Sequence, residues 1–192
     1  EPSAVLLCFG AIGGKSNYLK GAHLLEQALS ILQNGLSEEK RRDIVLIDFG
    51  GKISSGELLG FRSISLGHIS GPDTLATVYS AVDCVIVPSM VESFGQVAAE
   101  ALACSTPVVC FDTSGLKDIV LHDQTGLVSD AFSSASLASN LTKVVNMTND
   151  ERKMLGKKGR LHVESNFSFP VVAQQYKKII DDALVLKQSC QK

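Results

Sequence analysis

CVIVPSMVESFGQVAAEALACSTPVVCFD, Cys84–Asp112, is the stretch that decides the fold. It opens on an unbroken apolar run, CVIVPS (Cys84–Ser89), and closes on another, PVVCFD (Pro107–Asp112). Between them Phe94–Cys104 carries a helical pattern. Unbroken apolar runs, as opposed to alternating ones, are what strands covered on both faces look like. A strand, a helix and a second strand of this kind form a parallel crossover unit.

The same alternation extends in both directions. Apolar runs recur at Ala4–Gly10, Asp43–Gly50, Arg62–Gly67 and Gly126–Asp130, and only RSISLG (Arg62–Gly67) alternates. Helical patterns fall between them at Tyr18–Asn34, Pro72–Ala81 and, more weakly, Leu116–Leu121. From Ser133 onward there are only helical patterns: Ser134–Asn146, Asn149–Glu164 and Phe169–Lys187. The expected class is α/β, a doubly wound parallel (Rossmann-like) sheet of about six strands with C-terminal helices. In such sheets ligands bind beyond the carboxyl ends of the strands. The glycine-rich and polar residues collect at those ends: Gly10–Gly14, Gly50-Gly51, Gly67-His68, Ser89–Gly95 and Asp112–Gly115.

Composition removes several function classes. The chain has 192 residues, 45% of them hydrophobic, enough for one α/β domain with its own core. Lys+Arg 18 against Asp+Glu 20 gives a net charge of −2, which argues against a nucleic-acid partner bound through a basic surface. No apolar run reaches the roughly 18 residues of a membrane span, and no basic-then-apolar leader opens the sequence. The five cysteines (Cys8, Cys84, Cys104, Cys110, Cys190) have neither paired nor metal-like spacing, so they read as reduced core thiols of a cytoplasmic protein. The start, Glu1-Pro2-Ser3 and then an apolar run, reads as a linker entering a domain cut from a longer chain.

Within the opening stretch, Ser93-Phe94-Gly95-Gln96 fits a capping box, which predicts a helix with Ser93 as its N-cap. Glu92 then lies in the loop at the ligand edge, and the amides of Gly95 and Gln96 face the cleft, where a helix N-terminus favours an anion. Gly95 has no side chain to hold a ligand away. Glu100 is the lone charge among Val97, Ala98, Ala99, Ala101, Leu102 and Ala103. A carboxylate in such company is either hydrogen-bonded or wet. It accepts from the vicinal hydroxyls of a ligand, or it belongs with Gln96 and Ala103 to a solvated helix face. Spacing alone leaves both open.

PSMVESFGQVAAEALACSTPVV, followed by GLKDIVLHDQTGLV, closely resembles the donor-binding half of family 4 (group 1) glycosyltransferases, retaining enzymes of the GT-B fold with a Glu-x7-Glu motif. The likeness extends to FG…KG…LL near the start, GHIS…LATVYSAVDCVIVPS in the middle and the FSFPVVAQQYKKIIDDAL helix at the end. The resemblance implies that residues 1–192 are a C-terminal nucleotide-sugar-binding domain, one half of a GT-B fold, with an N-terminal acceptor domain absent. It implies that Glu100 binds the ribose hydroxyls of a sugar nucleotide and that Glu92 faces the donor sugar. Ser93, Phe94, Gly95 and Gln96 match the loop whose amides face sugar and diphosphate. Lys20 matches the lysine that neutralises the diphosphate, and Gly67-His68-Ile69 the segment that holds the base. Two positions depart from the family pattern. Ala11 stands where an arginine is frequent, with Lys15 the candidate to replace its charge, and Ser105 stands where glycine is frequent before Thr-Pro.

The activity implied is transfer of a hexosyl group, with retention, from a nucleotide-diphosphate sugar to a saccharide or lipid-linked acceptor in polysaccharide or cell-surface glycan synthesis. No metal or other cofactor is expected. The expected partners are the donor, the acceptor and the chain's own N-terminal domain. The expected location is cytoplasmic, with peripheral contact at the inner face of the membrane open to the full-length protein. Rival readings are a GT-B sugar-nucleotide epimerase, a non-catalytic binding module, and a P-loop-like nucleotide-binding module suggested by FGAIGGKS and Asp48. The P-loop spacing fails, because the position five before Gly14 is Phe9 and not glycine.

Overall fold

The computed structural model describes residues 4–10, 17–50 and 56–189. Seven strands form one sheet, ordered β3-β4-β2-β1-β5-β6-β7. They are β1 Val5–Gly10, β2 Ile44–Phe49, β3 Gly56–Leu58, β4 Phe61–Ser65, β5 Cys84–Val87, β6 Val108–Phe111 and β7 Gly126–Ser129. Every pairing is parallel except that of β3 with β4, a tight antiparallel hairpin at one edge. The expectation of about six strands omits β3. That strand is three partly or fully exposed residues, Gly-Glu-Leu, which carry no apolar period to read.

The helices are α1 Ala22–Gly35, α2 Glu38–Arg42, α3 Pro72–Ala81, α4 Gln96–Ala103, α5 Leu116–Ile119, α6 Ser134–Asn146, α7 Asn149–Phe167 and α8 Phe169–Ser189. The predicted single helix over Tyr18–Asn34 is two pieces. A 3-10 turn, Tyr18–Lys20, ends at Gly21 with φ 69°, and α1 starts after it.

Both faces of the sheet are covered, which is why its strands are unbroken apolar runs. On one face α1 (Leu25, Ala28, Leu29, Leu32) and α6 (Leu137, Leu141, Val144) pack on Leu7, Leu46, Ile86 and Val109. On the other, Tyr79 of α3, Ala98, Ala101 and Leu102 of α4 and Val163 of α7 pack on Cys8, Val45, Val85 and Val108. Leu7 and its neighbour Cys8 therefore face opposite layers, the period of two that a strand imposes. Cys8, Cys84 and Cys110 are buried and unbridged, and burial pushes the Cys8 and Cys110 thiols up to about 12, so they behave as small hydrophobes. Asp83 ties the amino ends of the central strands β1 and β5 to α7. It accepts from the Leu6 amide at 2.8 Å and from Arg152 Nε at 3.1 Å, while Arg152 Nη1 donates to the Met147 carbonyl at 2.6 Å.

Candidate functional site at the topological switch

The chain lays β2 and β4 on one side of β1, then returns to place β5, β6 and β7 on the other. The crevice between the carboxyl ends of β1 and β5 is therefore the topological switch point, where open α/β sheets bind ligands. Lys20 and Glu92 meet there, one following β1 and the other following β5. Lys20 Nζ lies 2.5 Å from Glu92 Oε1, with both side chains largely buried.

Each partner is held by main-chain geometry. Gly21, directly after Lys20, packs so closely on the end of β5 that a Cβ there would lie 1.8 Å from the Pro88 carbonyl oxygen. Its positive φ and this contact both demand glycine. The Met90 amide donates to the Leu19 carbonyl at 2.8 Å, which ties the lysine turn to the Glu92 loop. That loop is clamped from the other side by residues after β6. The Glu92 amide donates to Ser114 Oγ at 2.8 Å, the Gly115 amide to the Glu92 carbonyl at 3.0 Å, and Thr113 Oγ1 to the Met90 carbonyl at 2.9 Å. The sequence placed Asp112–Gly115 at the ligand edge without assigning these two hydroxyls a task. A clamp between loops about twenty residues apart leaves no local signal.

Helix α4 starts later than predicted. Its N-cap is Gly95 in the left-handed region (φ 96°), with no side-chain cap bond, so the expected capping box of Ser93 with Gln96 does not form. The reason is tertiary. A Cβ on Gly95 would meet Leu116 Cδ2 at 2.9 Å, and one on Gly115 would meet the Ser93 carbonyl at 2.6 Å, so the turn is shaped by two glycines packed on α5 and its approach. The first intrahelical bond runs from Ala99 to Gly95, so the first-turn amides have no intrahelical acceptor. Phe94 is half-exposed and turns its ring onto Phe167, centroids 5.4 Å apart.

Glu100 lies one turn further along α4 and is half-buried. It is not simply a wet surface acid: Tyr79 Oη donates to its Oε2 at 3.2 Å. The one signal of Tyr79 in the sequence is that a tyrosine on an apolar helix face needs a partner for its hydroxyl. Gly67 has φ 65° and its carbonyl accepts from the Gly50 amide at 2.7 Å. His68 beside it is exposed and Ile69 half-buried. Lys15 and Ala11 lie outside the described residues. Asp48, the rival reading's metal aspartate, is a core residue accepting from Ser65 Oγ at 3.2 Å. Among the described residues no three His, Cys, Asp or Glu side chains could share a metal ion, and no helix is long and apolar enough to cross a membrane.

A doubly wound sheet with a lysine, a glutamate and an uncapped helix N-terminus at its switch point defines the class: an open α/β domain whose crevice carries groups suited to an anionic ligand. The profile of "Glycosyl transferases group 1" matches residues 14–162, and the chain belongs to that family. The D-inositol 3-phosphate glycosyltransferase of Corynebacterium jeikeium is 32% identical over 88% of this chain and 42% of its own length. That of Actinosynnema mirum is 36% identical over 74% of this chain and 36% of its own length. This chain thus spans less than half of these relatives. Sucrose-phosphate synthase from Thermosynechococcus elongatus superposes with a TM-score of 0.74 at 25% identity, covering 97% of this chain and 47% of that one. The Anabaena protein HepE, solved in complex with UDP-glucose, gives 0.72 at 19% identity over 93% of this chain and 49% of its own, a likeness of fold. The sheet is one half of a GT-B glycosyltransferase architecture.

Proposed function

We propose that residues 1–192 form the C-terminal, donor-binding domain of a retaining hexosyltransferase that uses a nucleotide-diphosphate sugar. The observation that supports this most is the Lys20–Glu92 pair, held at 2.5 Å in the switch-point crevice. Departure of a nucleoside diphosphate builds negative charge while the sugar becomes oxocarbenium-like. Lys20 and the first-turn amides of α4 supply fixed positive charge for that anion, which is electrostatic catalysis. Glu92 orients the sugar through its hydroxyls, Glu100 takes the ribose hydroxyls, and Gly67-His68-Ile69 carries the base. The proposal adds no metal or other cofactor.

The acceptor belongs to a domain outside these residues. It is a saccharide or lipid-linked saccharide in cell-surface glycan synthesis, in the cytoplasm or at the inner membrane face. The names of the relatives favour a second acceptor class, a phosphorylated cyclitol such as inositol phosphate. A thermal-shift panel of UDP-, GDP- and ADP-glucose tests the donor reading. A ligand at a hundredfold excess over Kd raises stability by about 2.7 kcal/mol. A shift with one sugar nucleotide is expected. Silence from all three, with a shift for ATP and Mg²⁺, would return the chain to the P-loop reading.

A further inference from the structure

We infer that Tyr79 is a positioning residue for nucleotide recognition: from α3 it fixes the carboxylate of Glu100 on α4 so that the rest of that carboxylate is presented to a ribose diol. The inference rests on the donor reading of Glu100 given above.

Tyr79 is 1% exposed, and little freedom is left to it. Its ring meets Phe49 edge-on, centroids 5.9 Å apart. Its carbonyl accepts from Thr106 Oγ1 at 2.6 Å, which ties the end of α3 to the turn after α4. The Phe49 ring in turn fills the space over Gly10, where a Cβ would lie 2.2 Å from the ring. The hydroxyl thus stands at the end of a packed row, Gly10–Phe49–Tyr79, that begins at the carboxyl end of β1. Burial first, and then the charge of Glu100, raise the phenol far above its ordinary range, so it stays a donor at any working pH.

A glutamate on a surface helix samples many rotamers, and a ligand that needs one of them bears the cost of ordering it. The Tyr79 hydroxyl removes that cost in advance. It occupies one acceptor site on Oε2, and a carboxylate has about four, so two vicinal hydroxyls can still be received. A bond made only to satisfy a buried hydroxyl would leave ligand affinity indifferent to its loss, and this separates the two roles.

The test is calorimetry with UDP, GDP and ADP and their 2′-deoxy counterparts, on the wild type, Tyr79→Phe, Glu100→Ala and the double variant. Tyr79→Phe keeps the ring, and its melting curve reports whether the core survives. Glu100→Ala is expected to lower affinity for the bound ribonucleotide about tenfold and to abolish the preference for ribose over deoxyribose. Tyr79→Phe alone is expected to lower affinity about three- to tenfold and to shrink that preference in step. The double variant is expected to lose no more than Glu100→Ala. If Glu100→Ala weakens binding while Tyr79→Phe leaves affinity and preference unchanged, the positioning role is wrong and the donor reading stands. Additive losses overturn the positioning role as well. If Glu100→Ala changes nothing, or the wild type binds none of the three, the donor reading falls and this inference with it.

Discussion

Lys20 and Glu92 are each other's counter-charge, and a diphosphate arriving at Lys20 has to compete with a carboxylate 2.5 Å away. This gives the two residues opposite signatures. Glu92→Gln removes the competing charge, so a bare nucleoside diphosphate is expected to bind about three- to tenfold tighter. The matching nucleotide sugar exchanges a charged acceptor for a neutral amide oxygen at its hydroxyls, and so gains less or weakens. Parallel changes for the two ligands in calorimetry would separate Glu92 from the donor sugar. Lys20→Ala is expected to cost a diphosphate about 1.5–3 kcal/mol and the free nucleoside almost nothing. Equal losses would refute a phosphate role. Neither residue's part was legible from spacing. They are 72 positions apart, and only the family resemblance named both. The Tyr79–Glu100 bond, 21 residues apart, depends on how α3 lies against α4. A glutamate among alanines announces that it needs a partner, but local sequence does not say which one.

At the scale of elements, α4 is unusual at both ends. Its apolar face and its neighbouring strands were readable because each obeys a local period. Its start was not, because Gly95 is shaped by Leu116 and by Gly115, more than a turn beyond the helix itself. Its end closes as a Schellman turn. The Thr106 amide donates to the Ala101 carbonyl at 3.0 Å and the Ser105 amide to that of Leu102 at 2.9 Å. The turn places Ser105 at φ 62°, where glycine is the ordinary choice. The departure from the family's glycine, unremarkable in the sequence, is thus a site of backbone strain. A side chain in this region costs about 1–2 kcal/mol, and glycine gives back about 0.4–1 kcal/mol in unfolded-state entropy. Ser105→Gly is therefore expected to stabilise the fold by about 0.5–1 kcal/mol, read as a raised urea midpoint with an unchanged slope. The opposite holds for Gly156 of α7, which packs on that same turn. A Cβ there would sit 1.9 Å from the Ser105 carbonyl oxygen. Alanine gains about 1 kcal/mol of helix propensity, but α7 would have to move off α4, at about 1–3 kcal/mol or more. Gly156→Ala is expected to lower the melting temperature, and an unchanged or raised value would show that α7 can slide freely.

At the scale of the whole molecule, the groups proposed for the donor gather at the carboxyl ends of the strands of one sheet: Lys20 after β1, Glu92 after β5, the first turn of α4 with Glu100 on the next, and Gly67-His68-Ile69 after β4. The alternation of strands and helices made that edge legible, because strand ends carry the glycines and polar residues while both faces are buried. The wall facing this edge is proposed to lie in the longer protein, outside these residues. The chain covers 42% of the length of its Corynebacterium jeikeium relative, and the acceptor site is proposed for the remainder. Holding two reactants in register is worth up to about 7–11 kcal/mol of barrier, and one side of a cleft cannot supply it. An open edge also leaves a diphosphate in contact with water, where each charge contact is weaker than in a closed site. These 192 residues are therefore expected to bind their donor with a free energy of roughly −4 to −6 kcal/mol, in the high-micromolar range or weaker, and to transfer nothing. The measurement is product formation from donor with saccharide, lipid-linked and inositol phosphate acceptors, set beside the longer protein at equal concentration. Turnover by the 192 residues near the rate of the longer protein would place the acceptor site within them and remove the reason for a second domain.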